Sequence, residues 1–202
     1  MMDIRQLSVR YHADQDRILV CISTTASEEV QMWLTRRMTM RLWPLINRIV
    51  IDHLAIPPDA KTDGYVDLAA MGSKTRELLA GMRQQEVIAS TDFATPYQGK
   101  PANRPLGEAP LLVTEVNLTP HGNGQMQMNF KETLQESSAN RGFQLNMPAD
   151  LVFGVINLLK QALDQSQWEI ARDPLTAAPG VMNDVGDEVD MSPDATRPTY
   201  LN

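Results

Sequence analysis

The chain has 202 residues, of which 43% are hydrophobic and 21% charged, an ordinary balance for a globular protein with a buried core. Its single cysteine, Cys21, excludes an internal disulfide bond and a cysteine-based zinc site, so we expect a cytoplasmic protein. Residues 1–10 hold no long apolar run and no stretch reaches the ~18 apolar residues of a membrane helix, so we expect neither a signal peptide nor a membrane span.

The net charge of −7 is concentrated at one end of the chain. Residues 173–202 contain six acidic residues and one basic residue, so this tail carries −5 and the rest of the chain carries −2. Its richness in Pro, Asp and Ala predicts a segment that is disordered when free. Apolar residues recur among the acids at helical spacing and again at the end, which predicts either partner-binding anchors or an inert tail. The anchors would be Met182, Val185, Val189, Tyr200 and Leu201.

The first part of the chain predicts three strands and a helix. Apolar and polar residues alternate along 7–11 and 30–34, and residues 17–22 are apolar on both faces at the end of that run, as in a central strand. At Thr35 the period changes to that of an amphipathic helix, for which Thr35 is a plausible N-cap. The apolar stripe of this helix consists of Met38, Leu42, Leu45, Ile46 and Ile49.

The same order of elements recurs from residue 111. Strands are predicted over 112–118, over 125–130 and around Phe143, and a glycine-containing hairpin turn joins the first two. A helix follows, with Asn146 as the expected cap and Pro148 in its first turn. The apolar stripe of this helix is Leu151, Val155, Leu158, Leu159 and Ala162, which is the first stripe shifted by 113 residues.

Between these parts, the apolar spacing predicts one helix over 73–88 with Ser73 as its N-cap, followed by a proline- and glycine-rich loop over 94–110. We therefore predict an α+β fold of two tandem βββα units that pack pseudo-symmetrically, with antiparallel sheets and two main helices. Two unrelated α+β segments are the alternative. The predicted divisions are a first unit, an insertion, a second unit and an acidic tail, at residues 1–56, 57–110, 111–172 and 173–202.

The sequence assigns no catalytic residue, metal ligand or cofactor. The glycine motifs that bind phosphates and the common nucleophile and zinc motifs are absent. Polar residues in the two predicted hairpin turns would form a metal site only if the turns converged, and such residues ordinarily satisfy turn backbones. They are His12, Asp14, Asp16 and His121. Several glutamates could serve an enzyme of unknown class, but their spacing singles out no acid and base pair.

An arginine-rich helix favours nucleic acid as one alternative ligand. Arginine beside aromatic rings can bind phosphates and stack on bases. The candidates are Arg36, Arg37, Arg41, Arg48, Trp33 and Trp43. The order of elements is similar to that of the Whirly and PUR-repeat proteins, which bind single-stranded nucleic acids. Those folds use four strands per unit where three are predicted here, and no functional residue is carried over from them.

The function that the sequence favours is a non-catalytic cytoplasmic adaptor or assembly subunit. Sheets of the predicted kind leave edge strands, which are readily used for homodimerisation or for pairing with another protein. The methionine-rich composition offers a second contact surface, and the acidic tail a third. A single-stranded nucleic-acid-binding protein is the first alternative, and an enzyme of unknown class is the second.

Overall fold

The fold is known from a computed structural model, and five stretches of the chain are described. They are residues 4–56, 71–93, 95–99, 103–133 and 141–169. No helix within these stretches is long and apolar enough to cross a membrane.

The first part of the chain forms an antiparallel meander followed by a helix. Strands β1 (Ile4–His12), β2 (Arg17–Thr24) and β3 (Glu29–Thr35) pair in sequence order, and helix α1 (Arg36–Ile49) follows directly. The hydroxyl of Thr35 accepts a hydrogen bond from the amide of Met38 at 3.2 Å, which confirms the predicted N-cap. Alternation along the strands places most of their apolar residues on the face that lines the core.

A helical extension and a second helix follow α1. The turn at Val50–Leu54 has π-helical hydrogen bonding and continues α1 without a break. Helix α2 (Ser73–Ser90) packs against this turn and is two residues longer than the sequence predicts. Its N-cap is Gly72, so the prediction that Ser73 caps it is wrong.

The second part of the chain forms another antiparallel meander and helix. Strands β5 (Glu115–Pro120), β6 (Gln125–Glu132) and β7 (Arg141–Pro148) pair in sequence order, and helix α3 (Ala149–Ser166) follows. The predicted Asn146 cap is wrong, because Asn146 lies within β7. Pro148 is the N-cap, where its lack of an amide proton costs no helical hydrogen bond.

One short strand joins the two sheets. Strand β4 (Leu111–Leu112) pairs in parallel with β3, and the amide of Val113 donates to the Trp33 carbonyl at 3.1 Å. One residue later, the amide of Thr114 donates to the carbonyl of Lys131 in β6 at 2.9 Å. The backbone therefore passes from one sheet to the other without a loop.

The two sheets and the helices enclose one core. Helix α3 packs along β1 as well as β6 and β7, while α1 contacts β3 and β5, so each helix also contacts the first strand of the other sheet. The α+β prediction is therefore confirmed, and the arrangement is compatible with two tandem units. A cavity of about 30 Å³ lies between the sheets and is lined by apolar side chains.

A glycine in the second sheet provides a test of this strand packing. A Cβ atom at Gly142 would lie 2.7 Å from the carbonyl oxygen of Phe130 on the neighbouring strand. We expect Gly142→Ala to lower the free energy of unfolding by about 1–3 kcal/mol. The reason is that the added Cβ atom would crowd a backbone carbonyl, which cannot move aside as a flexible side chain can. Urea denaturation measures the change.

The matched control is Gly122→Ala in the β5–β6 turn, where an added Cβ meets none of the described atoms within 4 Å. This variant should change stability by less than about 1 kcal/mol. Equal stability losses in the two variants would contradict the register of β6 and β7.

Candidate interaction surface

The outer face of the first sheet carries a row of side chains that run directly across its strands. Arg10, Leu19, Trp33 and Leu112 are paired neighbours on β1, β2, β3 and β4. The inward-facing residues next to them form the core, whereas these four belong neither to the core nor to the apolar residues that pack against it. Leu19, Trp33 and Leu112 are all partly exposed. We call this set the apolar row, with Arg10 at its β1 end.

Basic and aromatic side chains border the apolar row. The His12 ring meets Trp33 edge-on with 5.2 Å between ring centroids, and His12 pairs across the sheet with Arg17. Arg10 is exposed and Arg17 partly exposed, and neither forms an ion pair with any residue that the structure describes. The border of the row is therefore positively charged.

The described residues of the proline- and glycine-rich loop cover the opposite end of the same face. They are residues 95–99 and 103–110, and we call them the proline-rich segment. Glu29 is only 3% exposed and accepts hydrogen bonds from the Tyr97 hydroxyl at 2.7 Å and from Arg104 at 3.3 Å. Asn103 forms a parallel bridge with Glu28, so this segment follows the sheet instead of leaving it. The pKa of Tyr97 is raised well above its usual range. Burial is the largest cause, and the hydrogen bond to Glu29 is the next. The phenol is thus a permanent donor that fixes the segment.

A second buried glutamate, Glu132, holds the last residues of the proline-rich segment and the β4 end of the apolar row in place. Glu132 is 5% exposed and is paired with Arg141, whose Nε lies 2.7 Å from the carboxylate. Arg141 also donates to the Leu106 carbonyl at 3.0 Å, and the Leu112 amide donates to Glu132 at 3.2 Å. The pair therefore positions Leu112 beside Trp33.

Cys21 lies on the outer face where the proline-rich segment begins to cover it. Burial, followed by the negative charge of Glu29, raises the pKa of its thiol to about 11. The thiol is therefore protonated at neutral pH and is a poor nucleophile.

The outer face of the second sheet differs from that of the first. Its outward-facing residues on β5 and β6 are polar throughout, and those on β7 include a glycine and a proline but no large apolar side chain. The polar residues are Glu115, Asn117, Thr119, Gln125, Gln127, Asn129, Lys131, Gln144 and Asn146. This face has the composition of an ordinary solvated sheet.

The predicted nucleic-acid-binding residues lie in three separate places. Arg36, Arg37, Arg41 and Arg48 are exposed on α1, and Arg48 lies 3.6 Å from Asp52. Trp33 belongs to the apolar row. Trp43, in contrast, is 3% exposed and lies in the core, so its ring is not accessible to a base.

Three of the four residues considered for a metal site contact other side chains, namely His12, Asp16 and His121. The described residues contain no group of three or more His, Cys, Asp or Glu that could hold a metal ion. His121 lies 3.3 Å from Gln127. Asp16 binds the side chains of Tyr11 and Trp168, and neither His12, His53 nor His121 lines the apolar cavity.

The two other predicted contact surfaces are the methionine-rich surface and the acidic tail. Most methionines of the strands are in the core, as Met32, Met126, Met128 and Met147 show, while Met82 on α2 is 59% exposed. The predicted anchors in the acidic tail lie outside the described residues. Sequence reasoning missed the apolar row, because only strand pairing brings Leu19, Trp33 and Leu112 together.

Comparison with known proteins found no match, whether with a protein-family model, with a curated protein or with a solved structure.

The contact of Asp16 with Trp168 yields a prediction about pH. The Asp16 carboxylate accepts hydrogen bonds from the Trp168 indole at 2.7 Å and from the Tyr11 hydroxyl at 2.9 Å, and these bonds lower its pKa below the ordinary 3.8. A carboxylate with a lowered folded-state pKa stabilises the fold above its ordinary pKa, and the contribution is lost as pH falls through the folded pKa. We expect the Trp168 indole N–H resonance to stay constant from neutral pH down to the ordinary Asp pKa and to titrate only below it.

Asp16→Asn is the control, because its side chain has no proton to gain in this range. Its indole resonance should not titrate. A wild-type midpoint above 3.8 would contradict the hydrogen bonds that lower the Asp16 pKa.

Proposed function

We propose that the protein is a non-catalytic cytoplasmic adaptor or assembly subunit that binds another protein through the outer face of its first sheet. The observation that carries this proposal is the apolar row, which lies on a face that neither α1 nor α3 covers. Binding surfaces commonly combine a central apolar cluster containing tryptophan with a charged rim. Here Trp33 lies between Leu19 and Leu112, and Arg10 and Arg17 form the rim.

The second sheet supports this proposal by comparison. Both meanders have three strands and one helix, so a solvated outer face would need the same polar composition in each. The second sheet has that composition, whereas the first places three large apolar side chains at paired positions on its outer face. Leaving such a cluster in water costs free energy in proportion to its apolar area, and a bound partner would remove that cost.

The acidic tail and homodimerisation remain predictions beside this proposal. The tail, at residues 173–202, would be a second contact through the anchors named above. A homodimer would use a sheet edge.

A single-stranded nucleic-acid-binding protein is the second candidate function. One observation favours it: Arg36, Arg37 and Arg41 are exposed on α1 and form no ion pair with the described residues, and α1 begins directly after the strand that carries Trp33. This candidate ranks below the first, because Trp33 is flanked by leucines, whereas single-strand binders stack successive bases on several aromatic rings.

Replacement of the central residue of the apolar row tests the proposed function. Partners captured from an extract of the producing cells by the wild-type protein would be identified and then purified for calorimetry. We expect Trp33→Ser to weaken the binding of such a partner by at least about thirtyfold, because a central tryptophan at an interface typically contributes 2 kcal/mol or more.

The control is Asn129→Ser at the centre of the second sheet's polar face, which should leave the affinity unchanged. Thermal melts establish that both variants remain folded. A partner that binds wild-type protein and Trp33→Ser equally well would overturn the proposal for this face.

An oligothymidine shift assay tests the second candidate. Binding through phosphates should be strongest near 50 mM salt and fall steeply as salt rises, because the release of counterions then becomes less favourable. Arg37→Ala should make the slope of log affinity against log salt shallower by about 0.7 for each phosphate that this arginine neutralises. Absence of any shift near 50 mM salt would eliminate nucleic acid as the ligand.

A further inference from the structure

Strand β1 is an open edge of the first sheet. It spans nine residues and pairs with β2 on one side, and no strand among the described residues pairs with its other side. Its register is regular from Gln6 to His12, and the irregularity lies only between Ile4 and Gln6. The strand contains no proline, so its backbone can accept an additional strand along about seven residues.

The core is incompletely covered at this edge. Leu7, Val9 and Tyr11 face inward on β1 and are half-buried, although α3 packs along the strand. Strand β7 is one edge of the other sheet, and its inward-facing residues Leu145 and Met147 are 2% and 1% exposed. Strand β5 is the other edge, and its inward-facing Val116 and Leu118 are partly buried, but β5 also carries Glu115. Among these edges, β1 combines partly buried apolar side chains with basic residues and no acidic one.

The charge of the β1 edge is positive. Arg5 and Arg10 are exposed on β1, which contains no acidic residue, and Arg17 is the cross-strand partner of His12. None of these arginines forms an ion pair within the described parts of the chain. Carboxylates on an added strand would provide the missing partners.

We propose that β1 binds an extended segment of a partner protein in which apolar and acidic residues alternate. Successive side chains of a strand point to opposite faces. The apolar residues of the segment would lie beside Leu7, Val9 and Tyr11 on the inner face, and its carboxylates beside Arg10 on the outer face. This inference rests on the proposed protein-binding function and specifies the partner's chemistry at the β1 end of the apolar row.

A second copy of the chain fits this edge less well. Pairing β1 with its own copy along residues 6–12 would place two copies of Arg10 and no carboxylate on one ladder, and like charges close together are destabilising. Nucleic acid would satisfy the arginines but would not cover Leu7 and Val9 on the inner face. The alternating acidic segment meets both requirements of the edge.

The experiment is an NMR titration of the isotope-labelled full-length protein with three synthetic peptides of about seven residues, the length of the regular part of β1. The first alternates valine and glutamate, the second alternates valine and lysine, and the third has the composition of the first with its valines consecutive. We expect only the first peptide to shift the backbone resonances of β1. Arg10→Glu should weaken its binding by about fivefold or more, because it removes a cross-strand ion pair and places like charges opposite each other.

The control for charge is Lys74→Glu, an exposed position on α2 that reverses the same charge away from the edge and should not alter the affinity. Equal shifts with the lysine or the block peptide would overturn the inference. So would an absence of shifts in β1 at millimolar peptide, shifts in β1 with oligothymidine alone, or a peptide-free dimer that pairs through β1.

Failure of this inference can be told from failure of the proposed function. If a purified partner loses affinity with Trp33→Ser but binds Arg10→Glu as it binds wild-type protein, the adaptor function stands and the acidic-segment inference fails. If Arg10→Glu weakens the peptide while Trp33→Ser leaves every partner unaffected, the edge binds as inferred and the proposal for the apolar row fails.

Discussion

The backbone hydrogen bonds of residues 111–120 join the two sheets into one fold. These residues bond first to β3 and then to β6, and the change takes place between Val113 and Thr114. Because this stretch belongs to both sheets, their inner faces are held against the same helices, and the core is continuous from β1 to β7.

Two buried carboxylates give the proline-rich segment a defined course. A buried charge is stable only when it is paired and hydrogen-bonded, and both Glu29 and Glu132 have an arginine and further donors. The segment they hold covers the Glu29 end of the first sheet's outer face and leaves the end near Trp33 open. The same ion pairs that order an irregular stretch of chain therefore also limit the contact surface.

Local periodicity was sufficient to predict the meanders and the main helices, because each strand or helix has its own apolar period. Periodicity could not predict β4, since a strand of two residues shows no period. It also could not predict that Glu29 is buried while its neighbour Glu28 is not, because the burial of Glu29 depends on Tyr97 and Arg104 far along the chain. From the sequence, Trp33 and Trp43 are both candidates for binding nucleic acid. Their different burial arises because α1 is covered over a wide arc, from Leu42 through Trp43 to Asn47. The apolar row depends on strand pairing between residues 19, 33 and 112, which no local pattern contains.

The packing of α3 on β1 has a consequence for biosynthesis. The ribosome makes β1 before α3, with more than a hundred residues between them, and Trp168 must reach Tyr11 and Asp16 to complete the contact. Until then the growing polypeptide displays the uncovered apolar side of its first hairpin, with the long sequence separations that slow folding. Nascent chains of this protein therefore pass through an aggregation-sensitive stage that ends only when α3 has emerged.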